Sequence, residues 1–165
     1  MLSIDKHTEN EILISDFPSL EINDHGWHLA EIIEKILNEV GPAAVQISTF
    51  SIDEYGLRVL FNLVHNKLIT KLTCIFDYKT ARYKQDLVYF CQNVTPEVYL
   101  TKNHSKIITI KNDRHTVVII SSANFNSQKR TESYVFTESE MIYRNVDKKF
   151  NEMMLNAVKP DFNDD

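Results

Sequence analysis

The sequence has little glycine, proline and cysteine, and it has no long apolar run. Three Gly and four Pro among 165 residues argue against a disordered or low-complexity protein. The two cysteines, Cys74 and Cys91, stand in apolar stretches, which favours buried free thiols over a disulfide or a metal site. The sequence contains no run of about 18 apolar residues, so it predicts no membrane span. The polar stretch after Met1 lacks the features of a signal peptide, so we expect a soluble, cytoplasmic protein.

An excess of positive charge is also missing. The net charge is −5 and the pI is about 5.7, which argues against a protein that coats nucleic acid non-specifically but is compatible with a local basic site. Apolar residues are plentiful: 43% of the chain is hydrophobic, with nine Phe and seven Tyr. That content is enough to bury a core without disulfides or metals.

Helical and strand patterns alternate in the first part of the chain, and strands dominate later. The predicted helices are 24–40 (begun by Asp24), 51–68 (with Ser51 as N-cap and Glu54 completing a capping box), 81–94 and 138–158. The predicted strands are 43–50, 71–78, 98–101, 104–111, 116–124 and 132–138, with a further short strand before Pro18, within 12–17. This order predicts an α+β fold with one mixed sheet flanked by helices on both faces. We expect a single domain over 1–158 and a loose tail over 159–165.

The stretch NHSKIITIKNDRHTVVIISSANFN carries polar residues two apart within apolar strands. Residues two apart in a strand face the same way, so His104 and Lys106 share a face, as do Ser122 and Asn124. A hairpin centred on Asp113 would place His104 opposite Ser122 and would bring all four groups into one patch. The plain alternative is an exposed strand face with ordinary polar residues.

Such a patch suits an anionic ligand rich in oxygen, and a phosphoryl group is the obvious one. Lysine neutralises charge, serine and asparagine donate hydrogen bonds, and histidine can act as nucleophile or as acid and base near neutral pH. No His, Cys or Asp cluster has metal-ligand spacing, so we expect chemistry without a metal or other cofactor.

The His-Ser-Lys triplet followed by Ser-Ser-Ala-Asn resembles the signature of the phospholipase D superfamily, in which His-x-Lys precedes Gly-Ser-x-Asn. A downstream glutamate falls on Glu132, and the order of elements resembles one half-unit of that fold. The small single-motif bacterial and phage members, which this chain resembles in length, tend to be nucleases. The resemblance therefore implies a phosphodiesterase that acts preferentially on nucleic acid.

The resemblance also implies a mechanism. Two His-x-Lys motifs normally build one active site, so a homodimer would bring together His104 from two copies. One histidine would form a phosphohistidine and the other would protonate the leaving oxygen. Glu132 would orient His104, Lys106 and Asn124 would hold the phosphate, and Ser122 completes the predicted catalytic set; Glu132 could instead pair with a neighbouring Lys or Arg, and Ser122 could only cap the turn after the strand.

Two departures from the signature favour a second hypothesis. Lys111 stands where the family has Asp, and Ser121 replaces the Gly. The chain could therefore be a degenerate module that binds nucleic acid or phosphate without turnover. A third hypothesis is a partner-binding protein that uses the methionines of the last helix (Met141, Met153 and Met154).

Basic side chains surround the motif in the sequence and are the predicted phosphate contacts, with solvated loop charges as the alternative. They are Lys102, Lys111, Arg114, Lys129 and Arg130. Three further residues follow a strand end, where ligand sites often lie in α/β sheets, and could line the cleft. They are Tyr78, Lys79 and Arg82.

Overall fold

Seven strands form one mixed sheet in the computed structural model, which describes residues 19–23, 27–127 and 130–161. The strands are β1 (Ser19–Asn23), β2 (Ala43–Thr49), β3 (Ile69–Asp77), β4 (Val98–Thr101), β5 (Ile107–Lys111), β6 (Thr116–Ser121) and β7 (Glu132–Thr137). The helices are α1 (Leu29–Val40), α2 (Glu54–His65), α3 (Tyr78–Tyr83), α4 (Gln85–Val94) and α5 (Glu140–Leu155). Helices lie on both sides of the sheet, so the predicted fold class is confirmed.

The strand order across the sheet is β1-β7-β6-β5-β2-β3-β4. The strands β2, β3 and β4 are parallel neighbours, and the strands from β2 through β5, β6 and β7 to β1 are antiparallel. The strand at 98–101 therefore joins the parallel part of the sheet, whereas the strands that follow it in the sequence form the antiparallel part.

Apolar periodicity explains the helices, but the caps of α1 and α2 differ from the prediction. Helix α1 begins after His28, whose Nδ1 accepts from the Ala30 N–H at 3.1 Å; the predicted cap Asp24 lies outside the described residues. Helix α2 is capped by Asp53 rather than Ser51, because the Asp53 carboxylate accepts from the Gly56 N–H at 2.8 Å.

The helix predicted at 81–94 is two helices. Helix α3 starts earlier, where the Asp77 carboxylate caps it by accepting from the Lys79 N–H at 2.8 Å. Lys84 separates α3 from α4 with a non-helical backbone, and its ammonium donates to the Ile52 carbonyl at 2.6 Å. This long-range contact, which no local pattern encodes, explains the break.

The two faces of the sheet are covered unequally. One face packs against α1, α2 and α4 and forms the hydrophobic core, which includes Ile47, Phe76 and Ile119. Among the described elements, α5 is the one helix on the other face, and Phe150 is its one buried residue. A row of apolar side chains, defined by the pairs Ile107–Ile120 and Ile120–Val135, therefore stays partly uncovered on that second face.

The β5–β6 pairing corrects the predicted register by one residue. Lys111 pairs with Thr116 and Ile107 with Ile120, so His104 does not lie opposite Ser122. The cause is a four-residue turn: the Asn112 N–H donates to the His115 carbonyl at 3.0 Å, so no single residue lies at its centre. His104 and Lys106 also precede β5 instead of lying within it.

The predicted tail is ordered at its beginning. Pro160 is buried, and its carbonyl accepts from the Gln92 amide at 2.7 Å. Val158 pairs with Leu100 of β4 through two backbone hydrogen bonds. Residues 162–165 lie outside the described residues, as does the short strand predicted before Pro18.

Candidate active site

Strand directions bring the predicted site residues to one edge of the sheet. This edge holds the ends of β2 and β3, the start of β5, the end of β6 and the start of β7. It is therefore the carboxyl edge of the parallel strands, where ligand sites lie in open α/β sheets. His104, Lys106, Ser122, Asn124 and Glu132 all stand at or beside it.

Asn103 fixes the segment that carries His104 and Lys106. Its side chain is 4% exposed, and its amide nitrogen donates to the Ser48 hydroxyl at 2.9 Å and to the Ile75 carbonyl at 3.0 Å. Its amide oxygen accepts from the Ser105 N–H at 2.9 Å and from the Ser105 hydroxyl at 2.7 Å. Because Asn103 and Ser105 are held inside, His104 between them is left exposed.

The His104 imidazole lies beside the Lys106 ammonium. The Lys106 Nζ donates to the His104 carbonyl at 2.8 Å and lies 3.3 Å from its Nδ1. An ammonium can only donate, so Nδ1 is the acceptor in this arrangement. The other side of the imidazole packs on Phe50, with 5.2 Å between ring centroids.

Glu132 supplies negative charge next to this pair. The Ser122 hydroxyl donates to its carboxylate and accepts from the Ser133 N–H at 3.0 Å. Partial burial lowers the pKa of Lys106, and the charge of Glu132 opposes that shift. Burial, followed by the same carboxylate, raises the pKa of Tyr134 to about 12. Among the described residues, the His104 imidazole has no hydrogen bond to Glu132, contrary to the implied orienting role.

Asn124 follows β6 at the same edge, and its amide oxygen is buried without a hydrogen-bond partner in the described part of the chain. The next residue fixes its position, because the Phe125 N–H donates to the Ser51 carbonyl at 3.0 Å and to the Thr49 hydroxyl at 3.1 Å. An amide oxygen only accepts hydrogen bonds, so it would need a donor such as water, and the amide nitrogen of Asn124 is the group that can donate to a phosphate oxygen.

A buried His–Asp pair secures the segment after Asn124. The His28 Nε2 donates to the Asp53 carboxylate at 3.0 Å, and that carboxylate also accepts from the Ser127 N–H at 2.7 Å. Partial burial would raise the pKa of Asp53, but the N–H groups of Gly56 and Ser127 and the nearby His28 lower it overall. One carboxylate thus joins the starts of two helices to the loop that carries Asn124.

The predicted basic set is divided between two ends of the sheet. Lys102 and Arg130 are exposed near the site edge. Lys111 and Arg114 lie at the opposite end of β5, where the Lys111 ammonium is 3.6 Å from Glu140 and 4.4 Å from the Tyr143 ring centroid. The four residue steps of β5 alone span roughly 13 Å, so Lys111 and Arg114 do not join His104. Lys129 lies outside the described residues.

The sequence-based prediction missed Asn103, Phe50 and the His28–Asp53 pair. Asn103 immediately precedes the His-x-Lys triplet, and a buried polar residue in that place is a signal that could have been considered. The partners of Phe50 and Asp53 are distant in the sequence and gave no local signal.

The described residues contain no group of three or more His, Cys, Asp or Glu side chains placed to hold a metal ion. Within the same residues, no helix is both long enough and apolar enough to cross a membrane. Both cysteines are buried free thiols, as predicted.

Comparison with known proteins gives matches at the level of structure. No family model matches the chain, and no curated protein matches its sequence. NucT from Helicobacter pylori superposes with a TM-score of 0.66 at 16% identity, covering 86% of this chain and 99% of that one. Nuc, a phospholipase D family member from Salmonella typhimurium, superposes with a TM-score of 0.65 at 13% identity, covering 87% and 98%.

A third match shows that the same fold occurs within larger proteins. Polyphosphate kinase from Porphyromonas gingivalis gives a TM-score of 0.63 at 11% identity, over 92% of this chain and 27% of that one. A shared fold does not by itself assign a reaction. The first two matches cover 86% and 87% of this chain and 99% and 98% of the matched chains. The chain therefore has the fold of the phospholipase D superfamily.

Proposed function

We propose that this protein is a phosphodiesterase that cleaves nucleic acid through a phosphohistidine at His104, without a metal ion. The observation that carries the proposal is the exposed His104 imidazole beside the Lys106 ammonium at the carboxyl edge of the sheet. Glu132 and Ser122 lie next to this pair, and Asn124 follows β6 at the same edge, where its amide nitrogen would donate to a phosphate oxygen. An exposed nucleophile, a cation and hydrogen-bonding groups are what attack on a phosphodiester requires.

The reaction would proceed in two displacements. A histidine nitrogen attacks phosphorus, the phosphorus–oxygen bond to the leaving group breaks, and a second histidine donates a proton to the departing oxygen. Water then attacks the phosphohistidine, gives its proton to the second histidine and frees the first. The net reaction converts a phosphodiester and water into a phosphomonoester and an alcohol.

Lys106 would respond directly to substrate. Its ammonium contacts the His104 Nδ1 in the free protein, and a bound phosphate offers it a stronger, charged acceptor. When the Lys106 ammonium moves from the His104 Nδ1 to the phosphate, it would release the Nδ1 lone pair. It would also neutralise the negative charge that develops on the phosphate oxygens. Asn124 would complete the phosphate contacts.

The second histidine would come from a second copy of the chain. The partly uncovered row on the α5 face supports this, since Ile120 is 41% exposed and Val135 37%. A cavity of about 320 Å³ opens between the same face and α5, and it is lined by Ser105, Ile107 and Met153 among others. Ser105 lies between His104 and Lys106, so a copy docked on this face would approach the candidate site.

The enzymatic proposal is tested by incubating purified protein in EDTA with DNA, RNA and a chromogenic phosphodiester. We expect cleavage that is lost in His104→Ala. His115→Ala is the matched control, because His115 lies at the far end of the hairpin, paired with Glu138 at 2.7 Å. Full activity of His104→Ala, or activity that EDTA abolishes, would contradict the mechanism.

The dimer is tested by sedimentation of Ile120→Glu. A charge in the centre of the uncovered row should give a folded monomer without activity, whereas the exposed aromatic variant Phe61→Glu on α2 should stay dimeric. A wild-type monomer with full activity would remove the shared site.

One observation favours binding without turnover as a second candidate function. Glu132 is bonded to Ser122 and not to His104 in the described residues, so the nucleophile lacks an orienting carboxylate. This candidate predicts nucleic-acid binding that weakens in Lys106→Ala, with no product. Detection of phosphorylated His104 by mass spectrometry would exclude it.

A further inference from the structure

A band of aromatic and cationic side chains runs along helix α3 beside the candidate site. The α3 band consists of Tyr78, Lys79, Arg82 and Tyr83. At 3.6 residues per turn these four residues fall within an arc of about 140°. The opposite side of the helix is anchored, since Thr80 is buried and its hydroxyl donates to the Phe50 carbonyl at 2.6 Å.

The band is continuous with the proposed nucleophile. The Lys79 ammonium lies 5.9 Å from the centroid of the Phe50 ring, and the other neighbour of that ring is His104, with 5.2 Å between centroids. At the far end, the Arg82 guanidinium lies 5.4 Å from the centroid of the Tyr83 ring. Contacts therefore run from His104 through Phe50 to Lys79. Arg82 and Tyr83 form a second cation–ring pair farther along α3.

Local electrostatics favour an anionic ligand on this surface despite the negative net charge. Asp77 precedes the helix, and its carboxylate is already hydrogen-bonded by backbone donors. It accepts from the N–H groups of Lys79 and Asn103 at 2.8 and 3.0 Å. Lys102 adds a further exposed cation beside Asn103. Phosphate groups that extend from the site would therefore meet lysine and arginine side chains.

The exposed rings narrow the class of ligand. Tyr78 is 41% exposed and Tyr83 is 71% exposed, so each presents ring surface to solvent. The faces of bases in a duplex are stacked on one another, whereas an unpaired base can stack on an aromatic side chain. A surface that combines cations with exposed rings matches the backbone and the bases of a single strand.

We propose that the α3 band is a subsite for single-stranded nucleic acid, with Tyr83 stacking a base and with Lys79 and Arg82 contacting phosphates. This inference rests on the proposed function for its link to cleavage, but not for its link to binding. It predicts that the protein prefers single strands over duplexes and that the preference depends on bases.

The test compares three labelled probes: a single-stranded oligodeoxynucleotide, an abasic strand of equal length, and the matching duplex. The wild-type protein should have a kcat/KM for the base-bearing single strand at least tenfold above that for either other probe. Tyr83→Ala should reduce this preference in kcat/KM by about tenfold, which is the size of effect expected when one base loses its stacking partner. Tyr83→Phe, which keeps the ring, should retain the preference, as should Phe61→Ala at an exposed ring of α2.

Salt dependence separates the cations from the rings. Lys79→Gln and Arg82→Gln should each weaken binding to the base-bearing and abasic strands alike, and each should reduce the magnitude of the slope of log affinity against log salt by about 0.7. If Tyr83→Ala and the double variant Tyr78→Ala/Tyr83→Ala both keep the full preference for bases, the inference is overturned while the phosphodiesterase stands.

Failure of the proposed function has a different signature. If wild-type protein cleaves none of the probes and no chromogenic phosphodiester, binding of the same probes is measured by fluorescence anisotropy. A base-dependent affinity that falls in Tyr83→Ala and persists in Tyr83→Phe then supports the subsite without catalysis. Equal affinity for the base-bearing and abasic strands overturns it.

Discussion

Replacement of Asn103 by alanine tests whether the buried amide positions the segment that carries His104. The substitution removes donors to the Ser48 hydroxyl and the Ile75 carbonyl, and it removes the acceptor for Ser105. These partners belong to β2, to β3 and to the His-x-Lys segment itself. Asn103 therefore joins the candidate site to the centre of the sheet.

The expected cost follows from the number and burial of these bonds. Each neutral hydrogen bond contributes about 1 kcal/mol net, and a buried polar group left without a partner costs about 1–3 kcal/mol. Two strong donor contacts and one stranded carbonyl give a loss of about 2–4 kcal/mol in the free energy of unfolding. A domain of typical stability, about 5–15 kcal/mol, remains folded after such a loss.

Urea unfolding followed by fluorescence measures this loss, because Trp27 is the single tryptophan and it packs near Tyr134. The proposed activity should fall as well, by about 100-fold in kcat, since a displacement of about 1 Å at a reacting group has an effect of that size. KM should change less, because Lys79 and Arg82 are untouched.

Asn112→Ala is the matched control for this experiment. The Asn112 amide donates to the Val40 carbonyl at 2.9 Å and its oxygen accepts from the His115 N–H at 2.8 Å, at the end of β5 away from His104. The control should lose stability and keep activity. An Asn103→Ala variant with stability within about 0.5 kcal/mol of wild type, or with unchanged kcat, would refute the positioning role.

Three further predictions concern Asp53 and Gly56, which stabilise the structure around the site, and Lys111, which lies far from it. The lowered pKa of Asp53 means that its carboxylate stabilises the fold above about pH 4 and that this contribution disappears as the pH falls through the folded-state pKa. Urea titrations across pH 3–6 should therefore show a difference in stability between wild type and Asp53→Asn that becomes smaller at the acid end. A constant difference in stability would contradict this. Gly56→Ala should cost about 1–3 kcal/mol in thermal or urea unfolding, because an added Cβ would lie 2.6 Å from ring carbons of both His28 and Phe125; a neutral effect would mean that the rings move aside freely. Lys111→Gln should leave nucleic-acid affinity and its salt dependence unchanged in anisotropy titrations, because its ammonium is engaged at the far end of β5; a reduced salt slope would mean that nucleic acid reaches that end.

The sequence predicted the elements whose residues interact locally. Helix α1 and strand β5 were recognisable because apolar side chains recur with the period of a helix or fill a short buried run. The resemblance carried by the polar motif before β5 and after β6 predicted the fold, which structural comparison confirmed. The residues of the candidate site and their assigned roles stay predictions.

The predicted register of the β5–β6 hairpin was wrong because of the local structure of its turn. The Asn112 oxygen accepts from the N–H groups of both Arg114 and His115, at 2.9 and 2.8 Å, which produces a four-residue turn. Composition indicated a turn there but did not give its length, and one residue of difference changes every cross-strand pair.

Taken by itself, the sequence determined which segments become helices and strands and which polar side chains stand at the start of β5 and the end of β6. Only the tertiary structure decided what holds and surrounds them: Asn103 bonded to Ser48, Asp53 bonded to Ser127, and Phe50 packed on His104. The physical reason is that side-chain periodicity reports only neighbours within a turn or a strand, whereas these contacts join residues more than 50 positions apart. Such pairs form only when the parallel and antiparallel halves of the sheet meet at one edge.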